Sequence, residues 1–196
     1  MATPVTLHVY DLSQGMARAL SMQFLGIHLD IVPHTGIVVY GKEYFFSGGI
    51  QSVPAHLFAA TYHTPVHEVV QLGSTEIPKE LFEEFLEERS PDFTAATYSL
   101  LHHNCNHFTD ECANFLLGKS IPQAILDVPT KVLSSPMGPM FSQMFEGSAN
   151  AFDPLAQAGA VREQLAATSE PAVAAEPAAA NAPPPPPPEP PTPIAP

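Results

Sequence analysis

The sequence predicts an α+β protein in which a small antiparallel sheet packs against helices. Between residues 5 and 72, most of the regular patterns are alternating or β-rich apolar runs, whereas helical periodicity dominates from residue 78 onward. Strands that precede most of the helices, instead of alternating with them, favour this class over a doubly wound parallel sheet.

Four segments have the pattern of strands. Residues 5–10 alternate between apolar and polar side chains, as expected of a half-buried strand. Residues 35–40 and 43–46 are two β-rich runs around a short glycine turn, which predicts a hairpin. Residues 66–72 form a further candidate strand. The hairpin makes an antiparallel sheet the expected arrangement.

The first helix is expected directly after the first strand. Ser13 is a good N-cap residue, and Met16, Leu20 and Phe24 follow at intervals of four residues. Gly26 is then expected to end the helix, because glycine readily adopts the left-handed conformation of a C-cap.

Two longer helices are expected in the second half of the domain. One begins near Pro78 and ends at Ser90, with several glutamates on a solvated outer face. Its apolar stripe consists of Leu81, Phe82, Phe85 and Leu86. The other runs from Asn104 to Leu117 and stops at Gly118. Short helical turns are expected around residues 125 and 132–133.

The composition changes near residue 147, where we place the boundary between a folded domain (1–146) and a tail (147–196). Alanine and proline make up 28 of the 50 tail residues, and the tail holds one of the 17 aromatic residues. Such a segment cannot bury enough apolar area to offset the entropy of ordering, so we expect it to be disordered. The proline run 183–188 suits a proline-recognising module, and a solubilising extension is the simpler interpretation.

The charge and the two cysteines exclude several functions. The formal net charge of −13 comes from 20 acidic against 7 basic residues, which leaves no cationic surface for nucleic acid or anionic lipid. Two cysteines cannot build a disulfide-rich secreted scaffold. The sequence contains no signal-peptide pattern at its start and no apolar stretch of membrane-spanning length. We therefore expect a cytoplasmic or nuclear protein without a nucleic-acid partner or a membrane span.

Residues 101–112 contain both cysteines and three histidines. With Asn104 as N-cap, Cys105 falls in the first turn of a helix, where the positive end of the helix dipole favours the nucleophilic thiolate. Cys105 also lies on the apolar stripe of that helix, so burial in the core is the competing interpretation. Cys112 lies two turns further along and is expected in the core.

A nucleophilic cysteine needs a base, and nine histidines offer several candidates. His102, His103 and His107 are neighbours of the cysteine in sequence, whereas His34 opens an apolar strand that would hold its ring rigidly. His103 and His107 also have the spacing of zinc ligands, but only one cysteine is near and neither a CxxC nor an HExxH motif occurs. We therefore expect no metal and no cofactor.

Six sequence blocks over residues 5–141 together resemble the PPPDE family. The blocks are VYDLS (9–13), PHTGIVV (33–39), YFFSGGI (44–50), GST (73–75), HNCN with Phe108 (103–108) and IP (121–122). One tetrapeptide would be weak evidence, but six blocks in the same order with similar gaps are strong. Known members of this family are desumoylating isopeptidases, with deubiquitinating relatives.

The resemblance implies a circularly permuted papain-like cysteine peptidase fold, in which the histidine precedes the cysteine in the chain. The matching motif positions make Cys105 the nucleophile and His34 the base of a catalytic dyad. The implied reaction removes SUMO or ubiquitin from a substrate lysine, and the substrates are then SUMO or ubiquitin conjugates. The resemblance further implies a homodimer with the active site in a groove.

Other residues and functions stay open at this point. Asn104 and Asn106 are candidates for orienting His34 or for donating to an oxyanion, with local helix capping as the alternative. Gly48 and Gly49 are candidates for a groove that admits a diglycine tail, and turn formation explains them equally well. The same dyad would also suit an S-acyl (palmitoyl) thioesterase. A non-catalytic adaptor with a proline-rich docking tail is the third possibility.

Removal of residues 147–196 is expected to leave hydrolytic activity and the Tm unchanged, because the predicted tail contributes nothing to the core. The full chain and residues 1–146 are compared in thermal unfolding and in cleavage of a SUMO conjugate. A large loss of thermal stability in the shorter chain would contradict the prediction.

Overall fold

Five strands form one antiparallel sheet in the computed structural model, which describes residues 2–146. The strands are β1 (Thr3–Asp11), β2 (Pro33–Val39), β3 (Lys42–Phe46), β4 (Ile50–Pro54) and β5 (Val66–Thr75). Their order across the sheet is β4-β3-β2-β1-β5, and every neighbouring pair is antiparallel. The strand that carries His34, β2, is therefore central and has a neighbour on each side.

The helices surround this sheet. They are α1 (Met16–Leu25), α2 (Phe58–Tyr62), α3 (Lys79–Arg89), α4 (Cys105–Leu117), α5 (Gln123–Leu126), α6 (Val128–Leu133) and α7 (Gly138–Glu146). Helix α4 packs on β2, β3 and β5. The prediction of an α+β fold with a small antiparallel sheet packed against helices is confirmed. Within residues 2–146, no helix combines the length and apolarity needed to cross a bilayer. The predicted tail lies outside the described residues.

The sheet has a different hydrophobic cluster on each face, because side chains alternate along a strand. The larger cluster lies under α3 and α4, and its members include Leu7, Val9, Ile37, Phe82, Phe108 and Cys112. The smaller cluster consists of Tyr10, Phe45 and Phe58, with Val53 and Tyr62 packed against it. Helix α2 supplies Phe58 and so covers the second face.

The predicted hairpin is confirmed as β2–β3. Its turn residues Tyr40 and Gly41 have φ values of 51° and 77°. Two successive positive φ values are typical of the turns whose twist matches that of paired strands. The hairpin fixes the register in which Val38 faces Glu43.

The first helix forms where it was predicted, but its N-cap differs. The N-cap is Gly15, with φ 88°, and a glycine has no side chain that could cap the helix. Ser13, the predicted N-cap, lies two residues earlier. Its hydroxyl still accepts the N–H of Ala17 at 3.0 Å. The serine therefore satisfies an N–H of the first turn without being the capping residue.

Two of the three regularly spaced apolar residues of this helix face solvent, and the third, Leu20, is half-buried. Met16 and Phe24 are 62% and 61% exposed, whereas Ser21 and Leu25 are the buried residues of α1. Regular apolar spacing indicated a helix correctly, but it did not identify the face that packs.

Three elements were not predicted: β4, α2 and α7. Strand β4 is an edge strand with no fully buried residue, and α2 is only five residues long. Helix α7 begins with Gly138 and Pro139, a pair that is more typical of a turn. All three therefore lacked a strong local pattern.

Adjacent residues of α3 are expected to differ sharply in their contribution to stability. Phe82 is fully buried and its ring meets that of Tyr44 edge-on at 5.2 Å, while Leu81 is 46% exposed. We expect Phe82→Ala to lower the free energy of unfolding by about 3–5 kcal/mol. Leu81→Ala should lower it by less than about 1 kcal/mol. Urea denaturation measures both, and equal losses would place Leu81 in the core after all.

Candidate active site

The first turn of α4 is fixed by a reciprocal cap. The side-chain oxygen of Asn104 accepts the N–H groups of Asn106 at 2.9 Å and His107 at 3.4 Å. In return, Nδ1 of His107 accepts the N–H of Asn104 at 3.2 Å, which completes a capping box. The side-chain nitrogen Nδ2 of Asn104 donates to the carbonyl of Leu100 at 2.7 Å. Cys105 is consequently the first residue of the helix, as predicted.

Asn106 joins this turn to the strand that carries His34. Its Nδ2 donates to the carbonyl of Pro33 at 3.2 Å, and its Oδ1 accepts the hydroxyl of Thr35 at 2.9 Å. Pro33 and Thr35 are the two neighbours of His34. The Asn106 side chain therefore bridges the strand at His34 and the helical turn that starts with Cys105.

Asp11, the last residue of β1, forms a hydrogen bond with the residue that precedes β2. Burial acts to raise the pKa of the Asp11 carboxyl. The pKa nevertheless lies below its usual range, because Ser13, Gly15 and Val32 donate hydrogen bonds to the carboxylate. The Val32 bond, at 3.1 Å, fixes the residue two positions before His34. Sequence reasoning missed this role. The available signal was an Asp-x-Ser sequence directly after a strand, which is typical of a local side-chain turn.

The His34 ring is enclosed by aromatic side chains. Its centroid lies 6.0 Å from that of Tyr10, 5.9 Å from that of Phe45 and 5.8 Å from that of Phe58. The side chain is buried, and Nε2 has no hydrogen-bond partner within residues 2–146. Burial lowers the pKa of His34 to about 3, so the imidazole is neutral in the folded protein.

The two cysteines have different surroundings, and neither forms a disulfide. The Cys105 sulfur lies 3.7 Å from Oδ1 of Asn106, at the positive end of the helix dipole. Cys112 lies in the larger hydrophobic cluster, and burial raises the pKa of its thiol well above the usual value. The predicted core position of Cys112 is confirmed, and that cysteine is held as an unreactive thiol.

The histidines close to Cys105 in sequence have structural contacts of their own. The ring of His103 stacks on Phe93 at 4.5 Å, and His107 belongs to the capping box. Burial, followed by the charge of His103, lowers the pKa of His107. His102 is exposed. Across residues 2–146, no group of three or more histidine, cysteine, aspartate or glutamate side chains is arranged to hold a metal ion.

Gly48 and Gly49 form the turn between β3 and β4. Their φ values are 64° and 150°, which side chains other than glycine rarely adopt. The N–H of Ser47 donates to the carbonyl of Gly49 at 3.0 Å, which closes the turn. Turn geometry thus accounts for both glycines, and their part in a substrate groove stays a prediction.

An apolar cavity of about 230 Å³ opens beside the first turn of α4. Asn104 and Asn106 supply its polar side chains. The apolar lining comes from Leu25, Leu29, Val32, Pro33, Leu100, Leu101, Val128, Pro129 and Val132. Neither this cavity nor a larger cleft of about 500 Å³ near Arg18 and His67 is lined by His34 or Cys105. The apolar cavity adjoins the candidate site through Pro33, Asn104 and Asn106, which are sequence neighbours of the two predicted catalytic residues.

A cysteine at a helix N-terminus, linked through its neighbour to both sides of a buried histidine, defines a candidate cysteine hydrolase. The family described as "PPPDE putative peptidase domain" matches residues 3–146. The chain belongs to this peptidase family, and the resemblance drawn from the six sequence blocks is confirmed.

Three relatives support the same assignment. The chain is 47% identical over 137 residues to desumoylating isopeptidase 1 of Homo sapiens, covering 69% of this chain and 80% of that protein. It is 41% identical over 135 residues to desumoylating isopeptidase 1 of Xenopus laevis, covering 68% and 79%. DeSI-like protein sdu1 of Schizosaccharomyces pombe is 34% identical over 125 residues, with 60% of each chain covered. The prediction of a peptidase is confirmed.

The buried His34 is expected to make the protein less stable as the pH falls. Its folded pKa of about 3 lies below the usual histidine value of 6.5, so between these values the unfolded chain binds a proton that the folded chain excludes. Its contribution to the free energy of unfolding should fall by up to about 1.4 kcal/mol per pH unit across that window. His34→Gln should flatten the pH dependence of urea denaturation by that amount.

Substitution of the exposed His102 by glutamine is the matched control for this measurement. We expect His102→Gln to keep the pH dependence of the parent protein. If His34→Gln and the parent protein show identical slopes, His34 is not held neutral by burial.

Proposed function

We propose that the protein is a cysteine isopeptidase that removes SUMO from substrate lysines through a Cys105–His34 dyad. The observation that carries the proposal is the Asn106 link, which ties the turn beginning at Cys105 to both neighbours of His34. The substrate class follows from the vertebrate relatives, which are named desumoylating isopeptidases. The order of the two residues in the chain, histidine before cysteine, agrees with a permuted papain-like fold.

The reaction begins with proton transfer from the Cys105 thiol to His34. Burial holds the imidazole neutral, so it can accept this proton. The positive end of the α4 dipole stabilises the thiolate, and the adjacent thiolate in turn stabilises the imidazolium. The proton transfer thus converts a neutral thiol and imidazole into an ion pair. This conversion is favourable only where the two charges are adjacent.

The thiolate then attacks the carbonyl carbon of the modifier's terminal glycine. A bond forms between sulfur and carbon, and negative charge develops on the carbonyl oxygen, where the backbone N–H of Cys105 and a further donor stabilise it. Collapse of this intermediate breaks the carbon–nitrogen bond while the His34 imidazolium donates its proton to the leaving lysine amine. Water, deprotonated by His34, then hydrolyses the thioester and releases the modifier with a free carboxylate and the regenerated thiol.

We assign supporting roles, not chemical ones, to the two asparagines. Both polar atoms of the Asn104 side chain already have partners close by: Oδ1 accepts from the backbone of α4, and Nδ2 donates to the carbonyl of Leu100. Asn106 holds the strand and also accepts from the Cys105 thiol. Capping by Asn104 and orientation of the two main chains by Asn106 follow from these contacts.

The choice between SUMO and ubiquitin as the modifier is part of the proposal. Ubiquitin conjugates are the alternative modifier substrate, and an acidic chain of net charge −13 suits a modifier with a basic face in either case. The names of the relatives favour SUMO. A homodimer, a cytoplasmic or nuclear location and a proline-recognising partner for residues 147–196 belong to the same proposal as expectations.

A thioesterase acting on S-acylated proteins is the second candidate function. The apolar cavity of about 230 Å³ favours it, because an acyl chain needs an apolar lining and two of the lining residues, Asn104 and Asn106, flank Cys105 in the chain. Cys105 would then attack the thioester carbonyl, and His34 would protonate a departing thiolate in place of a lysine amine.

SUMO and ubiquitin that carry a C-terminal electrophile test the nucleophile directly. We expect the parent protein to form a covalent adduct with the SUMO probe, and Cys105→Ser to form none. His34→Ala should slow adduct formation by at least about 100-fold, since general-base catalysis contributes about 10²–10⁴-fold. Intact mass spectrometry measures the adduct.

Cys112→Ala is the matched control, because it removes the other cysteine from a site in the hydrophobic core. This variant should react like the parent protein. An adduct that survives in Cys105→Ser would contradict the assigned nucleophile. If neither probe reacts while an acyl-thioester reporter is hydrolysed, the thioesterase replaces the isopeptidase as the function. If no reagent is turned over, the non-catalytic adaptor is favoured.

A further inference from the structure

Glu43 is a fully buried carboxylate that the proposed reaction does not use. It lies on β3, and its side chain is 0% exposed. The hydroxyl of Tyr10 donates to its two oxygens at 2.8 and 3.0 Å, and Nδ1 of His8 lies 2.9 Å from Oε2. A buried charge is tolerated only with such partners. Both partners come from β1, which is not the neighbouring strand of β3.

The carboxylate reaches β1 by crossing over β2 at Gly36. A Cβ atom on Gly36 would overlap Oε1 of Glu43 and would meet its Cγ at 2.7 Å. The missing side chain at Gly36 therefore provides the space that the Glu43 side chain fills. This places a fixed charge on the sheet face that also carries the His34 ring, two residues before Gly36 on the same strand.

Tyr10 transmits this fixed position to His34. The two residues are directly paired across β1 and β2, and their ring centroids are 6.0 Å apart. Tyr10 also stacks on Phe58 at 4.3 Å, and Phe58 lies nearly parallel to the His34 ring, at 18° and 5.8 Å. The rings of Tyr10 and Phe58 therefore both restrict the imidazole, and the Glu43 hydrogen bonds restrict the ring of Tyr10.

In a nucleophile–histidine pair, a third group usually orients the base by a hydrogen bond. Here Nε2 of His34 has no hydrogen-bond partner within residues 2–146. We propose that Glu43 and Tyr10 are positioning residues for His34: Glu43 fixes the Tyr10 ring, which holds the imidazole plane by packing where a third catalytic residue would use a hydrogen bond. The inference rests on the proposed role of His34 as the base.

Two near-isosteric substitutions in the full chain test this arrangement. Tyr10→Phe keeps the ring and removes the hydroxyl, and Glu43→Gln keeps the shape and removes the charge. We expect kcat for cleavage of a SUMO–lysine peptide conjugate to fall about 10- to 100-fold with KM unchanged, because small misplacements of a reacting group have effects of this size. The ¹H–¹³C NMR signals of the His34 ring should shift or broaden in both variants.

Tyr44→Phe is the matched control. Tyr44 is also a buried tyrosine, but it lies in the cluster under α4, on the opposite face of the sheet. Its hydroxyl has no hydrogen-bond partner in the described part of the chain. Loss of this hydroxyl should leave kcat and the His34 signals unchanged. Near-UV circular dichroism verifies that every variant is folded.

The outcomes separate this inference from the proposed function. If folded Tyr10→Phe and Glu43→Gln keep the parent kcat while Cys105→Ser and His34→Ala abolish turnover, the positioning role is overturned and the dyad stands. A lower kcat with unchanged His34 ring signals, or an equal loss in Tyr44→Phe, also overturns it. If His34→Ala retains the parent kcat, the proposed function fails. The NMR comparison needs no substrate and still reports whether Tyr10 and Glu43 orient the ring.

Discussion

The candidate site depends on the hydrogen bonds between α4 and β2. Asn106 bonds to Pro33 and Thr35, and the hydroxyls of Thr35 and Thr109 lie 2.6 Å apart. These polar groups are buried, so each would carry a desolvation cost without its partner. The network therefore sets the position of the helix along the strand more specifically than apolar packing does. Because Cys105 precedes Asn106, the same bonds determine where the thiol lies relative to His34.

The sheet separates two kinds of environment at this point. On one face, α4 and the larger cluster hold Cys112 as an unreactive core thiol. On the other face, aromatic rings enclose His34, and burial keeps its imidazole neutral. The first turn of α4 and the start of β2 meet at the edge of both regions.

Local patterns predicted most of the regular structure correctly. The strand at residues 5–10, the hairpin and the helix from Cys105 to Leu117 were all found from alternation, turn residues and capping. Edge strand β4 and the short helix α2 were missed because their stability comes from neighbours that are distant in sequence. The predicted apolar stripe of α3 was wrong at Leu81, which is exposed, since spacing shows which residues share a face but not how far the packed face extends.

The sequence by itself determined the fold class, the family, the capped helix start at Cys105 and the core position of Cys112, because each depends on residues within a few turns or on ordered motifs. Only the tertiary structure decided that Asn106 joins α4 to β2, that His34 lies in an aromatic enclosure, and that Glu43 spans the strand at Gly36 to reach Tyr10. The hydrogen bond between Tyr10 and Glu43 joins residues 33 positions apart, and the bond between Asn106 and Pro33 joins residues 73 positions apart. No local pattern encodes them, since they arise from sheet register and helix packing.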